Sequence, residues 1–164
     1  QFKSLAKKES LIIDDTVCRS FDTIWSDVKD LVHKELLPLN TASIIHGDFC
    51  FSNILCGENN KTNTMILKFV DSYEGGYEYI IFDEFEVVEN ETDNYSIHFS
   101  NDNKNKIATV FRELTDFRSL KSKLIEGLIY IGMCSRHYDS ADRQLAMYLT
   151  GLKTLNQVIQ GEIE

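Results

Sequence analysis

The sequence is poor in proline, in cationic side chains and in long apolar runs. A single proline in 164 residues, with no repeat and no low-complexity stretch, gives no sign of a linker, so we expect one domain. Lysine and arginine total 17 against 26 aspartates and glutamates, for a net charge of -9. Binding to nucleic acid or to an anionic membrane surface depends on clustered cations, so this balance disfavours both classes of partner.

Two further absences concern the compartment. No run reaches the roughly 18 apolar residues of a membrane helix, and no signal peptide opens the chain. The four cysteines show neither a CxxC pair nor a zinc-ligand spacing, which favours buried, reduced thiols in a cytoplasmic protein. They are Cys18, Cys50, Cys56 and Cys134. The chain begins at Gln1, and we expect it to be a piece of a longer protein.

Three segments have the periodicity of amphipathic helices. The first begins at Ser20 or Asp22, either of which could be its cap, and ends before Pro38. Two more follow Thr115, the last with Ser140 as a candidate cap. Their apolar stripes comprise Phe21, Ile24, Trp25, Val28, Leu31, Val32 and Leu36; Leu120, Leu124, Ile125, Leu128, Ile129 and Ile131; and Leu145, Leu149, Leu152, Leu155 and Ile159.

Two hairpins are predicted between the first helix and the other two. "NILCGENNKTNTMILKFVDS" has apolar arms around a polar tip, and "YEYIIFDEFEVVE" is joined to "NYSIHF" through "NETDN". Glu84 and Glu86 alternate with Phe85 and Val87, as on an exposed strand face. The order of helix, two hairpins and two helices predicts an α+β fold, mainly helical, instead of an alternating parallel sheet.

The segment "IIHGDFCFSNIL" places a polar loop between apolar anchors. Asp48 and Asn53 lie in this loop with four residues between them, and Asp71 ends the returning strand of the first hairpin. Phosphoryl transfer requires a carboxylate that orients and deprotonates a hydroxyl, together with oxygen ligands for magnesium on the nucleotide phosphates. Asp48 could supply the base, and Asn53 and Asp71 could supply the ligands.

"HGDFCFSNIL" followed by "LKFVDS" resembles the catalytic and metal loops of the aminoglycoside phosphotransferase and choline kinase group, which are relatives of protein kinases. With the downstream "LIEGLIYIGMCSRHYDSADRQLAMYLTGL", the likeness is greatest to phosphotransferase domains of bacterial surface-polysaccharide (capsule) gene clusters. It runs from about Ser43 to the C-terminus. It implies that residues 1–164 are the C-terminal lobe of a protein-kinase-like fold, which would work with a nucleotide-gripping lobe upstream in the same chain.

The resemblance also implies roles for individual residues. Asp48 would be the catalytic base, Asn53 a magnesium ligand, and Asp71 the residue that bridges the metal and the phosphates of ATP. His46 would hold the loop in place. The implied activity is an ATP-dependent transfer of a phosphoryl group to a hydroxyl of a small sugar-like or amino-alcohol acceptor.

Besides a longer hairpin between Asn53 and Asp71, which its polar tip absorbs, the chain departs from the family pattern in two ways. Only 45 residues precede His46, and they contain no Gly-rich loop; Lys7 and Lys8 have no strand context that would suit a nucleotide-binding lysine. Relatives also carry Pro-Arg-Gly and a Gly-Asp segment after the metal-binding aspartate, whereas "SYEGGYEYIIFDEF" follows Asp71 here. Both departures leave open a non-catalytic, kinase-like binding or scaffolding module.

Other interpretations of the same residues remain. Asp48 and Asn53 could form an Asx-type turn that only stabilises a loop, and Asp71 could be a strand-ending turn residue. A metal-dependent hydrolase that uses His46 and Asp48 would need a partner histidine at helical spacing, which the sequence lacks. Glu126 and Arg143 are expected to be solvated or salt-bridged helix residues.

Overall fold

The computed structural model describes residues 2–38, 76–100 and 119–162, together with Lys106 and Thr109. Within these ranges the fold is α+β, as the order of elements predicts: helices and one mixed four-stranded sheet share a core. In chain order the elements are α1 (Phe2–Leu5), β1 (Ser10–Ile13), β2 (Thr16–Arg19), α2 (Phe21–Leu31) with a π-helical extension (Val32–Leu36), α3 (Tyr77–Ile81), β3 (Phe85–Glu91), β4 (Asn94–Phe99), α4 (Leu120–Met133) and α5 (Ala141–Gln160).

The sheet joins two hairpins that are distant in sequence, in the order β2-β1-β4-β3. Asp14 and Asp15 connect β1 to β2 with φ angles of 45° and 63°, the left-handed geometry of a tight type I′ turn. The central pair, β1 and β4, is parallel and aligns Ile13 with Tyr95. The sheet therefore ties the first twenty residues to the segment that precedes α4.

The predicted hairpin through "NETDN" is confirmed. β3 and β4 pair antiparallel, with Val87 opposite Ile97, and an irregularity in register between Glu89 and Glu91 precedes the turn. Glu86 is exposed while Phe85 and Val87 are partly buried, so the alternation predicted for this strand is also confirmed.

The start of this hairpin segment corrects the sequence-based prediction. Tyr77–Ile81, assigned to a strand because of its aromatic and β-branched residues, forms the short helix α3. Gly76, at φ 79°, turns the chain into the helix, and Ile80 is fully buried at its centre. Contact with the core overrides the local strand propensity here. The hairpin of β1 and β2 was not predicted, because each strand has only four residues.

The three predicted amphipathic helices are confirmed. α2 begins after Ser20, whose side chain makes no capping hydrogen bond, and buries Ile24 and Val28. Trp25, assigned to the apolar stripe, is instead 43% exposed, and His33 is exposed too. α4 and α5 begin at capping serines: Ser119 Oγ accepts a hydrogen bond from Ser122 N, and Ser140 Oγ accepts one from Arg143 N.

The longest helix, α5, is the centre of the core. Eleven of its residues are buried, and it packs against α4, the sheet, α2 and α3. It lies close to α4 at Gly127 and Gly151. A Cβ built on Gly151 would lie 2.8 Å from Tyr130 Cβ and 3.0 Å from Gly127 O, so only glycine fits this position without a shift of the α4 backbone.

Candidate functional site

All four residues of the predicted phosphotransfer site lie outside the described residues. His46, Asp48, Asn53 and Asp71 fall in the segment between Pro38 and Gly76. Their convergence on one magnesium nucleotide therefore stays a prediction. The structure instead describes the elements on either side of that segment, and two cavities among these elements are described below.

The chain re-enters the described region at α3, which lies against the end of α4. The Tyr77 ring meets the His137 ring edge-on, with centroids 6.2 Å apart and planes at 71°. Beyond α3, Asp83 (φ 60°) accepts a bidentate pair of hydrogen bonds from Arg143, 2.7 Å from Nε to Oδ1 and 2.6 Å from Nη2 to Oδ2. Hydrogen bonding from this guanidinium lowers the pKa of Asp83. Arg143 is thus salt-bridged, as expected.

The first cavity, of about 400 Å³, lies between the β3–β4 hairpin and the start of α5. We call it the acidic groove. It is lined by Asp83, Phe85, Glu86, Val87, Glu89, Tyr95, Ser140, Asp142 and Leu145. Tyr95 is buried, and its hydroxyl donates to Glu89 Oε1 over 2.9 Å; burial and then this carboxylate raise its pKa to about 12.

The acidic groove has the charge to attract a cation but not the arrangement to coordinate a metal. Among residues 2–38, 76–100 and 119–162, no group of three or more His, Cys, Asp or Glu side chains could hold a metal ion. His98 is exposed on β4, and His137 contacts Tyr77. The described histidines thus provide no ligand set for a metal-dependent hydrolase.

The second cavity, of about 410 Å³, lies between α1, the first turn of α2 and the α4–α5 pair. We call it the aromatic pocket. It is lined by Phe2, Lys3, Ala6, Lys7, Phe21, Asp22, Ile131, Cys134 and Tyr148. The Phe2 and Tyr148 rings are tilted by 38°, with centroids 5.8 Å apart. The lining is mainly apolar, and two exposed lysines lie at its rim.

The aromatic pocket holds two buried polar groups, a thiol and a phenol. Cys134 is 2% exposed, its Sγ donates to Tyr130 O over 3.4 Å, and burial raises its pKa to about 11. Such a thiol stays protonated at neutral pH and is a poor nucleophile. Burial likewise raises the pKa of Tyr148 to about 12, against a lowering by the nearby Phe21 backbone, and its buried hydroxyl makes no hydrogen bond of normal geometry.

Two other buried polar groups have structural roles. Glu126 is 2% exposed and accepts from Lys123 Nζ over 2.7 Å, so it is salt-bridged inside the core rather than solvated. Cys18 is a buried free thiol like Cys134, and burial raises its pKa to about 11. These two cysteines confirm the expectation of buried thiols; Cys50 and Cys56 lie outside the described ranges.

Sequence reasoning missed the aromatic pocket. Tyr148 lies one position before Leu149 of the α5 stripe and is indistinguishable from a core residue by pattern alone. Lys7 and Lys8 are placed, as expected, outside any strand, in the turn between α1 and β1. The sequence signal that could have indicated this pocket is the pair Lys3 and Lys7, which are four positions apart and flank apolar residues.

Comparisons with known proteins give no relative from which a role could be transferred. No family model, no curated protein and no solved structure matches the chain significantly. Within the described ranges, no helix has both the length and the apolarity that crossing a bilayer requires.

Proposed function

We propose that this chain is the C-terminal lobe of an ATP-dependent kinase that phosphorylates a hydroxyl group of a small molecule. The observation that carries the proposal is a sequence pattern. His46, Asp48 and Asn53 lie in one polar loop between apolar residues, and Asp71 follows at the end of the predicted hairpin. The confirmed helices and hairpin, on both sides of this segment, support an α+β domain of the kind that carries such loops.

In the proposed reaction, one side chain of the protein takes up the proton that the acceptor hydroxyl loses. The Asp48 carboxylate accepts the proton of the acceptor hydroxyl, and the resulting oxygen nucleophile bonds to the γ-phosphorus of ATP. The bond from that phosphorus to the bridging oxygen breaks in the same displacement. The products are a phosphomonoester and ADP, and the proton leaves Asp48 to solvent.

The other residues bind and orient. The Asn53 amide oxygen and the Asp71 carboxylate are hard oxygen donors of the type that magnesium prefers, so their chemistry fits that ion. Bound magnesium would neutralise charge on the phosphates. His46 would hold the loop by packing and hydrogen bonding, and an upstream lobe of the same protein would grip the nucleotide.

The acceptor is proposed at the level of chemical class only. The resemblance to phosphotransferase domains of surface-polysaccharide gene clusters favours a sugar-like or amino-alcohol hydroxyl, made and used in the cytoplasm. The net charge of -9 is compatible with an aminated acceptor, since an acidic surface attracts cations.

A non-catalytic, kinase-like scaffold is the second candidate, and one observation favours it. Only five residues separate Asp71 from Tyr77 at the start of α3, so the Pro-Arg-Gly and Gly-Asp segment that relatives carry there has no room. Retention of Asp48, Asn53 and Asp71 together opposes this candidate, because a scaffold has no need for all three.

Calorimetry on the full-length protein distinguishes the two candidates. A kinase should bind ATP in the presence of magnesium and lose most of that affinity with EDTA. Asp48→Asn should lower kcat by roughly 10²–10⁴-fold with little change in nucleotide affinity, whereas Asp71→Ala should weaken binding of magnesium ATP.

Asp27→Asn, an exposed change on α2 at a residue paired with Arg19, is the matched control and should leave both quantities unchanged. Absence of any magnesium-dependent heat with ATP would refute the kinase. Equal losses of binding from Asp48→Asn and Asp71→Ala would refute the division of roles.

A further inference from the structure

We propose that the outer edge of β3 binds an extended segment of a partner protein as an additional strand, with a lysine or arginine side chain of that segment in the acidic groove. The edge contains none of the residues assigned to phosphotransfer, so the proposal is independent of the kinase function. Three observations carry it: the outward-facing backbone groups of β3, the open space beside them, and the charge of that space.

The register of the β3–β4 hairpin shows which backbone groups of β3 face outward. Ile97 lies opposite Val87 and donates its N–H to Asp14 Oδ1, on the β1 side of the sheet. Because its backbone points away from β3, Val87 and Ile97 exchange no hydrogen bonds, and the N–H and C=O of Val87 face the outer edge. By the same alternation Phe85 faces outward, and Glu86 faces β4. No loop or side chain of the described ranges bonds the outward groups of Phe85 and Val87.

The opposite edge of the sheet is shorter and partly covered. β2 has four residues, and the Asn156 amide takes both backbone groups of Arg19. β3 has seven residues and pairs only with β4 within the part of the chain that the structure describes. A row of free N–H and C=O groups is a template for another strand, so β3 is the edge that can accept one.

Open space lies directly beside this edge. The acidic groove, of about 400 Å³, is lined by Phe85, Glu86 and Val87 of β3, and Asp142 and Leu145 of α5 lie across from them. A strand that pairs with β3 alternates its side chains between the two faces of the sheet, so every second side chain would point toward the groove. The groove therefore selects the residue at those positions.

The lining of the groove selects a cation with an apolar stem. Four carboxylates and no cationic side chain line it, and Arg143 neutralises one of them, that of Asp83. The stem of a lysine or arginine would contact the apolar wall, and its charged head would lie at Glu89 and Asp142. Opposite charges on neighbouring strands stabilise their pairing.

A second copy of this chain does not fit the same edge. The charged side chains of β3 are Glu86, Glu89 and Glu91, without a cation among them. Pairing of β3 with another β3 would place like charges opposite one another, which destabilises the pair. The occupant is therefore a basic segment of a different protein.

Titration of the full chain with synthetic peptides, followed by NMR, tests the class of partner. A peptide of alternating lysine and valine, with the length of β3, should bind at low salt with a Kd on the order of 1 mM. The same peptide with glutamate in place of lysine should not bind, because the groove repels it. Equal binding of the two peptides, or no binding of the first at about ten times the expected Kd, would overturn the proposal.

Backbone methylation separates strand pairing from attraction by charge alone. Two versions of the lysine peptide carry N-methyl groups, one on its lysines and the other on its valines. Only one of these two sets of amides can face β3 in a paired strand, so one version should bind at least about 10-fold more weakly than the other. Equal affinities of the two versions would refute the additional strand.

Variants of the chain test the residues. Glu86→Gln combined with Asp142→Asn should weaken binding of the lysine peptide by about 3–10-fold. Asp15→Asn combined with Asp30→Asn removes the same charge at two exposed positions outside the groove and is the matched control, expected to change the affinity by less than about 2-fold. Equal losses from both pairs would mean that only the net charge matters. Val87→Pro, which removes an outward N–H and leaves the β3–β4 hydrogen bonds in place, should abolish binding.

Amide hydrogen exchange locates the peptide without any variant. Binding should slow the exchange of the Phe85 and Val87 amides several-fold, because each N–H gains an acceptor. Val17, which is 62% exposed on the opposite edge strand, should exchange at an unchanged rate. Equal slowing at both edges would mean general stabilisation, and slowing at neither edge would mean that the peptide binds elsewhere; either result would overturn the proposal.

Discussion

The two ends of α5 are attached to the rest of the fold by different chemistry. At its start, Arg143 holds Asp83 and Asp139 in ion pairs on the surface. Near its end, Asn156 is 1% exposed and its amide joins α5 to β2: it accepts from Arg19 N over 2.9 Å and donates to Arg19 O over 3.0 Å. One attachment is charged and solvated, and the other is neutral and buried.

The difference indicates which end holds the fold together. Exposed ion pairs gain little net free energy, because water and salt screen them and the side chains lose freedom. A buried amide that satisfies both backbone groups of one residue cannot be replaced by water without opening the core. We therefore expect stability to depend on Asn156 and to be nearly indifferent to Arg143.

Asn156→Ala should have the largest effect on stability. It removes the hydrogen bonds to Arg19 N and O, leaves both backbone groups without partners and opens a small cavity. The free energy of unfolding should fall by about 3 kcal/mol, measured by urea denaturation monitored by circular dichroism. Gln160→Ala, on an exposed position of the same helix, should stay within about 0.5 kcal/mol of wild type. A loss below about 1 kcal/mol for Asn156→Ala would remove the contrast between the two ends.

Gly151→Ala should come next, at the middle of the helix. The new methyl group would lie 2.8 Å from Tyr130 Cβ and 3.0 Å from a backbone oxygen, so α4 and α5 would have to separate. We expect a loss of about 2 kcal/mol in the free energy of unfolding.

Gly132→Ala is the matched control on α4, because nothing lies within 4 Å of its added Cβ. It should raise stability by about 0.5–1 kcal/mol through helix propensity alone. If both substitutions changed stability equally, close helix contact at Gly151 would not be the cause of its effect.

Local periodicity accounts for the part of the fold that could be predicted. The stripes of α2, α4 and α5 and the β3–β4 hairpin each span several turns or residue pairs, and the cap at Ser140 was predicted as well. Ser20 precedes α2, but its side chain makes no capping hydrogen bond, and the Ser119 cap was found only in the structure. The stripes of α2 and α5 were visible in the sequence because they repeat over ten or more residues.

What could not be predicted depends on contacts between distant residues. The parallel pairing of β1 with β4 joins positions more than eighty residues apart, and α3 is helical because Ile80 enters the core. The aromatic pocket likewise combines α1, α2, α4 and α5. The phosphotransfer site was the reverse case: its residues carry a motif that is readable in the sequence, but they fall outside the described ranges.

Tyr148→Phe tests a buried polar group that, unlike Asn156, has no partner. Removing the hydroxyl should leave the free energy of unfolding unchanged or raise it by up to about 1 kcal/mol, because no hydrogen bond is lost and a desolvated oxygen disappears. The change should be measured without added ligand, by urea denaturation. A loss of more than about 1 kcal/mol would show that the hydroxyl has a partner, such as a buried water.

Arg143→Gln should have the smallest effect, and its signature should be dependence on pH. The pKa of Asp83 is lowered by the hydrogen bond from Arg143, so the pair stabilises the fold above the ordinary value of 3.8 and this stabilisation is lost as pH falls through the lower, folded value. In the variant the pKa of Asp83 should rise toward 3.8, as followed by NMR titration of its carboxyl carbon. Stability at pH 7 should hardly change, because the pair is exposed, and any small loss should shrink further in high salt. A large loss at pH 7 that persists in salt would mean that the surface end of α5 matters as much as the buried end.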